Sequence, residues 1–262
     1  MTLTDTFTRP VGYLPRDYAA VTGRNLRRML RSPDALLMGL ALPVLLLVLF
    51  VYVFGGAIDT GTDYLNYVVP GIVLLSASFG AAQTAVAVAS DMQRGIVDRF
   101  RSMPIARSAV LTGHVVASLV RNLASTAVVF AVAALMGFRP DATLVEWVAA
   151  VGIIALFVLA ISAVSAALGM LAGNEEAASG FTFFLLFLPY VSSAFVPPDT
   201  MPAWLRGFAE HQPVTPVIET VRGLLTGTPV GNSAVIAVGW CVAFIAVGLV
   251  AATALFRRRT AR

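Results

Sequence analysis

The sequence predicts an all-α membrane protein with six transmembrane helices, an N-terminal interfacial amphipathic helix and two short extracytoplasmic half-helices before the last span. Three observations lead there. Hydrophobic residues make up 58% of the 262 and charged ones only 12%, against about 45–50% and about 25% in soluble domains. Runs of about 20 apolar residues, long enough for a helix to cross a hydrocarbon core about 30 Å thick, recur along the chain. The 18 basic residues, all of them arginine, cluster beside those runs.

In chain order the expected spans are Ala35 to Phe54, Val68 to Ala89, Val115 to Met136, Leu144 to Met170, Ala177 to Phe195 and Ala234 to Phe256. Such long runs fit helices and not barrel strands, which need only about ten alternating residues. No linker, repeat or low-complexity stretch divides the chain, so residues 1–262 read as a single transmembrane domain. Residues 1–34 form a cytoplasmic segment with the interfacial helix, 35–256 the six-span bundle and 257–262 a cytoplasmic tail.

Orientation follows from the arginines, because positively charged loops are retained on the cytoplasmic side. Arg9, Arg16, Arg24, Arg27, Arg28 and Arg31 precede the first span. Arg94, Arg99, Arg101 and Arg107 lie between the second and third, and Arg257, Arg258, Arg259 and Arg262 follow the sixth. The opposite side carries only Arg139, Arg206 and Arg222, and Arg121 falls inside the third run. Both termini are therefore expected in the cytoplasm of a bacterial cell with a multi-pass protein in its inner membrane. The alanine, valine, glycine and arginine bias points to a G+C-rich bacterium.

The same inventory excludes several functions. A phosphate-binding loop of the G-x-x-x-x-G-K-[ST] kind needs a lysine, and the chain has none, so any ATP site belongs to another subunit. Schiff-base chemistry on lysine falls with it. The net charge of +4 comes from arginines flanking spans, with no soluble basic domain, so nucleic-acid binding is not expected. A cleavable signal peptide is not expected, because more than 30 residues of mixed polarity precede the first apolar run. Cys241 is the lone cysteine and the two histidines fall on opposite sides of the membrane, which leaves no catalytic set and no metal site.

Three segments outside the spans carry the functional signal. Between Tyr18 and Pro33, Arg24, Arg27, Arg28 and Arg31 share one helical face, with Ala19, Thr22, Leu26, Met29 and Leu30 on the other. This pattern fits an amphipathic helix on the inner membrane surface, arginines toward lipid phosphates, either as a topology anchor or as an elbow meeting a cytoplasmic partner. Asp91 to Arg107 places Met92, Ile96, Phe100 and Met103 on one stripe and Arg94, Asp98 and Arg101 elsewhere. Such a stripe either packs on the protein's own helix ends or inserts into a groove on a partner, and docking is the favoured reading. Val196 to Asn232 is broken by six prolines into two half-helices, Met201 to Glu210 and Val217 to Leu225. This segment either dips into the membrane from outside or caps the spans.

The run QRGIVDRFRSMPIAR between the second and third spans resembles the R-G-T-x-E-R-L-R-x-x-P run of type 2 ABC exporter permeases, in particular the daunorubicin and doxorubicin resistance permease family. FVPPDTMPAWLRGFAEHQPVTPVIETVRGLLTG is similar to that family's N-P…R-G-L-L stretch, and the likeness covers nearly the whole chain. Asp98 stands where glutamate is usual, shortening the reach, and Gln212 where asparagine is usual, lengthening it. The resemblance implies a permease dimer, with itself or a sister chain, bound to two ATPase subunits that carry ATP and Mg. It makes Asp91 to Arg107 the ATPase-coupling helix and sets spans one, two and five along the transport path.

Within the spans, Gln83 stands with Ser76, Ser78 and Thr84 on the second, where such groups hydrogen-bond across helices or to their own backbone. Phe183, Phe187 and Tyr190 form an aromatic stripe beside Pro189 on the fifth. They either meet lipid and neighbouring helices or stack against a flat apolar cargo. Arg121, with His114 two turns earlier on a similar face, reads as an arginine near the cytoplasmic interface, snorkelling or pairing with Asp91 or Glu175. A gating or substrate contact is the other reading. Asn174, Glu175 and Glu176 suit the start of a helix, with an ATPase contact as the alternative. Together these point to an exporter subunit moving a drug, lipid-like metabolite or lipid-linked glycan. A partner-independent ion-coupled carrier is the rival, and it would need a mid-span acidic residue.

Overall fold

The computed structural model describes residues 22–23, 33–94 and 107–260. The arginines Arg24, Arg27, Arg28 and Arg31 of the expected interfacial helix lie outside the described residues. So do Ile96, Asp98, Phe100, Arg101 and Met103.

Helix α1 runs over Pro33–Leu49 and continues as a π-helical turn, Phe50–Phe54. Then follow α2 (Tyr64–Gln93), α3 (Arg107–Leu135), α4 (Leu144–Ala172), α5 (Glu175–Phe187), α6 (Ala203–His211), α7 (Val214–Thr226) and α8 (Ser233–Thr260). Side-chain caps set several of the starts. Asp63 accepts from Leu65 N ahead of α2, Thr143 and Glu146 form a reciprocal capping box on α4, and Asn174 accepts from Ala177 N ahead of α5. The chain passes from α4 to α5 through Gly173, whose φ of 75° suits the left-handed turn that ends a helix.

Among the described residues, four helices are long and apolar enough to cross a membrane: α2, residues 112–135 of α3, α4 and residues 233–255 of α8. The first expected span, Ala35 to Phe54, lies within the helix that α1 and its π-turn make together, and the fifth takes another form. Gly39–Phe54 is a shorter apolar helix with Pro43 inside it and the π-turn at its end. The expected fifth span, Ala177 to Phe195, is not one helix. Helix α5 stops after 13 residues, tightens into a 3-10 turn at Leu188–Val191 and leaves helical geometry at Ser192. Pro189 has no N–H to offer the carbonyl of Leu185, and because the ladder stops at Ser192 the carbonyls from residue 188 onward take other donors.

Helices α2, α4 and α8 run in one direction and α3 in the other, which gives the bundle a Tyr64 end, where α2 begins, and a Gln93 end, where it stops. Helix α2 is central: α1, α3, α4, α5 and α7 all pack on it, and α8 packs on α4 and α7. Val68, Val69, Ile72, Leu74 and Leu75 of α2 meet Ile154, Phe157, Val158 and Ile161 of α4 and Ile218, Val221 and Leu225 of α7 in one core. Outside that core the long helices show apolar residues outward, including Leu135, Val128, Val235, Val242 and Val250. That surface is suited to lipid.

Small residues let the helices approach closely. A Cβ on Gly71 would lie 2.7 Å from Ala194 Cα, and one on Gly169 would run into the Ala85 carbonyl of α2. Gly152, on the same helix as Gly169, faces open space. Gly169→Val is therefore expected to cost about 1–3 kcal/mol by overpacking the α2–α4 contact, while Gly152→Ala holds or raises the midpoint of thermal unfolding. Parallel melts of the two variants in neutral detergent check this.

Candidate functional site

At the Tyr64 end the chain makes two short helices where the sequence is richest in proline. Helix α6 lies outermost, with Trp204 79% exposed and an exposed Arg206–Glu210 ion pair of 2.7 Å. The hydrogen bond that Arg206 donates to Glu210 pushes Arg206 further above its ordinary pKa. Helix α7 turns inward and is buried over most of its length among α2, α4 and α8.

Arg222 of α7, only 7% exposed, binds three segments together. Its Nε and Nη2 donate to Tyr67 O of α2 at 3.1 and 3.0 Å, and Nη2 also donates to Ser193 O at 2.7 Å. Nη1 pairs with Glu219 at 2.6 Å, and the guanidinium lies 3.7 Å from the centroid of the Tyr67 ring. Only arginine offers a planar fork that can serve two carbonyls, a carboxylate and a ring face together.

Gln212 does similar work on the broken end of α5. Its Nε2 reaches Leu188 O and Val191 O at 3.4 Å and Thr215 Oγ1 at 3.1 Å, while its Oε1 accepts from Val214 N at 3.0 Å. The glutamine at this position thus has the arm to span from the start of α7 to carbonyls of the 3-10 turn. Thr215 Oγ1 donates to Ala209 O, Ser192 Oγ to Pro189 O, and Tyr64 Oη to Phe195 O. The irregular backbone from residue 188 to 195 is therefore held by side chains of α2, α6–α7 and its own turn.

The aromatic stripe of α5 divides. Phe183 and Phe187 are exposed and stack on each other with centroids 6.5 Å apart. Tyr190, beyond the break, stacks on Phe195 at 5.7 Å, and Phe195 on Phe50 of α1 at 4.2 Å. Gln83 lies on an accessible stripe of α2 with Phe79, Gly80, Val86 and Ala87, on a helix otherwise buried through its middle.

At the Gln93 end, Met92 packs partly buried beside Val88, Met170, Ala252 and Leu255, and Arg94 is exposed as the residue that ends α2. Just before them, Asp91 Oδ2 meets His114 Nε2 of α3 at 3.2 Å, both side chains buried. Arg121 pairs with neither Asp91 nor Glu175. It reaches α2 instead, donating to Gly80 O at 2.6 Å and Thr84 Oγ1 at 3.2 Å. Asn174 caps α5, as its position ahead of two carboxylates requires. The Arg222 clasp and the Asp91–His114 pair carry no sequence signal as pairs, although Arg222 opens the R-G-L-L run.

Comparison with known proteins decides the family. The ABC-2 type transporter family profile matches residues 16–226, which takes in every helix from α1 to α7. The chain belongs to the ABC-2 type transporter family. Among its relatives in that family, it is 31% identical over 189 residues to the daunorubicin resistance ABC transporter permease protein DrrB1 of Streptomyces coeruleorubidus, covering 71% of this chain and 67% of that protein. It is 26% identical over 211 residues to the probable doxorubicin resistance ABC transporter permease protein DrrC of Mycobacterium tuberculosis, covering 80% and 76%. It is also 26% identical over 234 residues to the putative transport permease ycf38 of Porphyra purpurea, covering 86% and 79%. The ABC-2 match ends at Thr226, the last residue of α7, so the clasp sits inside the family's shared region and α8 follows it.

Replacing Arg222 with glutamine leaves buried carbonyls of Tyr67 and Ser193 short of donors, at about 1–3 kcal/mol for each one left unmet. Hydrogen exchange should then speed up around residues 192–195 and 64–68 and not at the Gln93 end. Arg206→Gln, which removes an exposed pair, should leave the exchange pattern unchanged.

Proposed function

We propose that this chain is the membrane-spanning subunit of an ABC exporter, moving a hydrophobic or amphipathic compound out of the cytoplasm or inner leaflet, driven by a separate ATPase subunit. The observation that carries this reading is a pairing of two facts: the chain belongs to a family whose named members are ABC transporter permeases, and it contains no lysine with which to build a P-loop. ATP and Mg then sit on two copies of the partner, and a second permease, identical or related, completes the transporter. Drug, lipid-like metabolite and lipid-linked glycan are the cargo classes in order of preference.

The site residues take roles on this reading. Met92, Arg94, Ile96, Asp98, Phe100, Arg101 and Met103 form the segment the ATPase grips, on the cytoplasmic side. Closure of the ATPases on ATP pushes that segment, and α2, whose end meets α3 through Asp91 and His114, tilts against α3. Gln83, Phe183, Phe187 and Tyr190 border the path, and Arg24, Arg27, Arg28 and Arg31 hold the N-terminal segment on anionic lipid. Helices α6 and α7 close the extracytoplasmic end, and both termini are cytoplasmic in a bacterial inner membrane.

Co-expression with the ATPase tests the coupling. Vanadate-sensitive ATPase activity of the complex should respond to cargo, and Phe100→Asp, a charge placed in the apolar stripe, should abolish complex formation or that response. Normal assembly and coupling in the variant would remove the docking role. Topology is checked separately in a Cys241→Ser background. A cysteine at Asn232 should react with an impermeant maleimide in intact cells, and one at Arg94 only after lysis; the reverse pattern would invert the protein.

A further inference from the structure

Among the described residues, Arg121 is a cation without an anion. It sits at the middle of α3 and about 13 Å along the apolar stretch that begins at Thr112, opposite Gly80 near the middle of α2. That depth puts it well inside a hydrocarbon core about 30 Å thick. All its hydrogen bonds come from Nη2 and all go to neutral groups: Gly80 O, Thr84 Oγ1 and, at 3.5 Å, Ser118 Oγ. Its Nε is buried with no acceptor. The ion pairs among the described residues are Asp91–His114, Arg206–Glu210 and Arg222–Glu219, and Arg121 is in none of them.

Around it lies a polar layer. Asn122 donates to Ser118 O and Oγ, Ser118 meets Ser162 at 2.9 Å, and Asn122 Oδ1 is buried without a donor. Helix α2 is buried along most of its length, but Phe79, Gly80, Gln83, Val86 and Ala87, on one face, are accessible there. Gly80 is thus both a ligand of the guanidinium and a member of the open stripe. Charged residues inside a membrane that face a path and lack a partner mark ligand sites, because a guanidinium kept in apolar surroundings is otherwise a standing cost.

We propose that Arg121, with Gln83 and Thr84 beside it, binds the acidic head of an amphipathic cargo, a carboxylate or phosphate on an apolar body whose tail lies along Phe79 and Val86. The inference deepens the exporter reading and rests on it for the word cargo. The shared chemistry is an anion on an apolar chain, and a membrane phospholipid headgroup offers it as well. A cationic amphiphile meets like charge at this point.

The test is equilibrium binding to the full chain in phosphatidylcholine nanodiscs, with empty nanodiscs subtracted and no nucleotide or ATPase present. Its outcome is then separate from that of the coupling experiment. Dodecyl phosphate, dodecanol and dodecylamine share one tail and differ in head. We expect saturable binding of dodecyl phosphate about tenfold or more tighter than dodecanol, as a charge-assisted hydrogen bond provides, and the weakest binding for dodecylamine. Arg121→Gln should erase the preference and Arg121→Lys keep part of it. Gln83→Glu, on the accessible stripe where no packing changes, should weaken dodecyl phosphate and strengthen dodecylamine, which covers the case of an unstable Arg121→Gln. Phosphatidylglycerol at a fifth of the lipid leaves dodecyl phosphate binding unchanged if the anion is cargo and displaces it if the site takes a lipid headgroup. Equal binding of all three probes by the wild type, or a preference that survives both Arg121→Gln and Gln83→Glu, would overturn the proposal.

Discussion

The need to give every backbone polar group a partner, in surroundings where water cannot supply one, governs the Tyr64 end of this protein. Pro189 ends a helix inside the bundle, and from Leu188 to Phe195 the chain has carbonyls that no helical ladder satisfies. Arg222, Gln212, Ser192 and Tyr64 supply the donors, and Thr215 Oγ1 accepts from Ser193 N. Each sits on an element that must be in place first, so α7 folding inward and the break in α5 are conditions of one another. Without Arg222 the break has too few donors, and without the break Arg222 is a buried charge with one carboxylate and one carbonyl.

This mutual dependence also explains what the sequence made legible. The spans around α2, α4 and α8 could be read to within a few residues because apolar runs and caps are local signals. The Thr143–Glu146 box and Asn174 mark helix starts directly. The fifth span could not be read that way. Ala177 to Phe195 is apolar enough to cross, Pro189 alone reads as a bend, and the donors that make a full break tolerable lie some 20 to 30 residues further on. Arg121 was misplaced for a related reason. Its acceptor is a backbone carbonyl at Gly80, which no side-chain pattern announces, so Asp91 and Glu175 looked like the natural partners. Among the proposed coupling residues, Met92 and Arg94 alone can be placed, and Met92 packs on its own chain's helix ends.

Helix α2 connects the three polar features. Tyr67 O, near its start, takes Arg222; Gly80 O, near its middle, takes Arg121; and Asp91, near its end, takes His114. Its 30 residues make a rod about 45 Å long. It is packed on several sides and approached at Gly71 and Ala85 so closely that side-chain bulk is excluded. Pro70 lies in its second turn, so on the proposed mechanism the stretch from Gly71 to Gln93 passes on a push as a tilt, about a point that the attachments decide.

Those attachments differ in kind. The clasp at Tyr67 is made of several buried hydrogen bonds and a ring contact to two other segments, so breaking it exposes several groups at once. The Asp91–His114 contact joins side chains of two neighbouring helices. The Gly80 contact involves a cation with donor capacity left over. On the proposed mechanism the Tyr64 end is thus the pivot and the Gln93 end the driven one, with the Arg121 layer lying between them, where a small tilt of α2 against α3 changes the spacing of Gly80, Thr84 and the guanidinium. A ligand held at that level would feel the tilt as a loss of its counter-charge. A stroke delivered at the far end of α2 is then converted into release near the membrane midplane without the clasp at Tyr67 having to open.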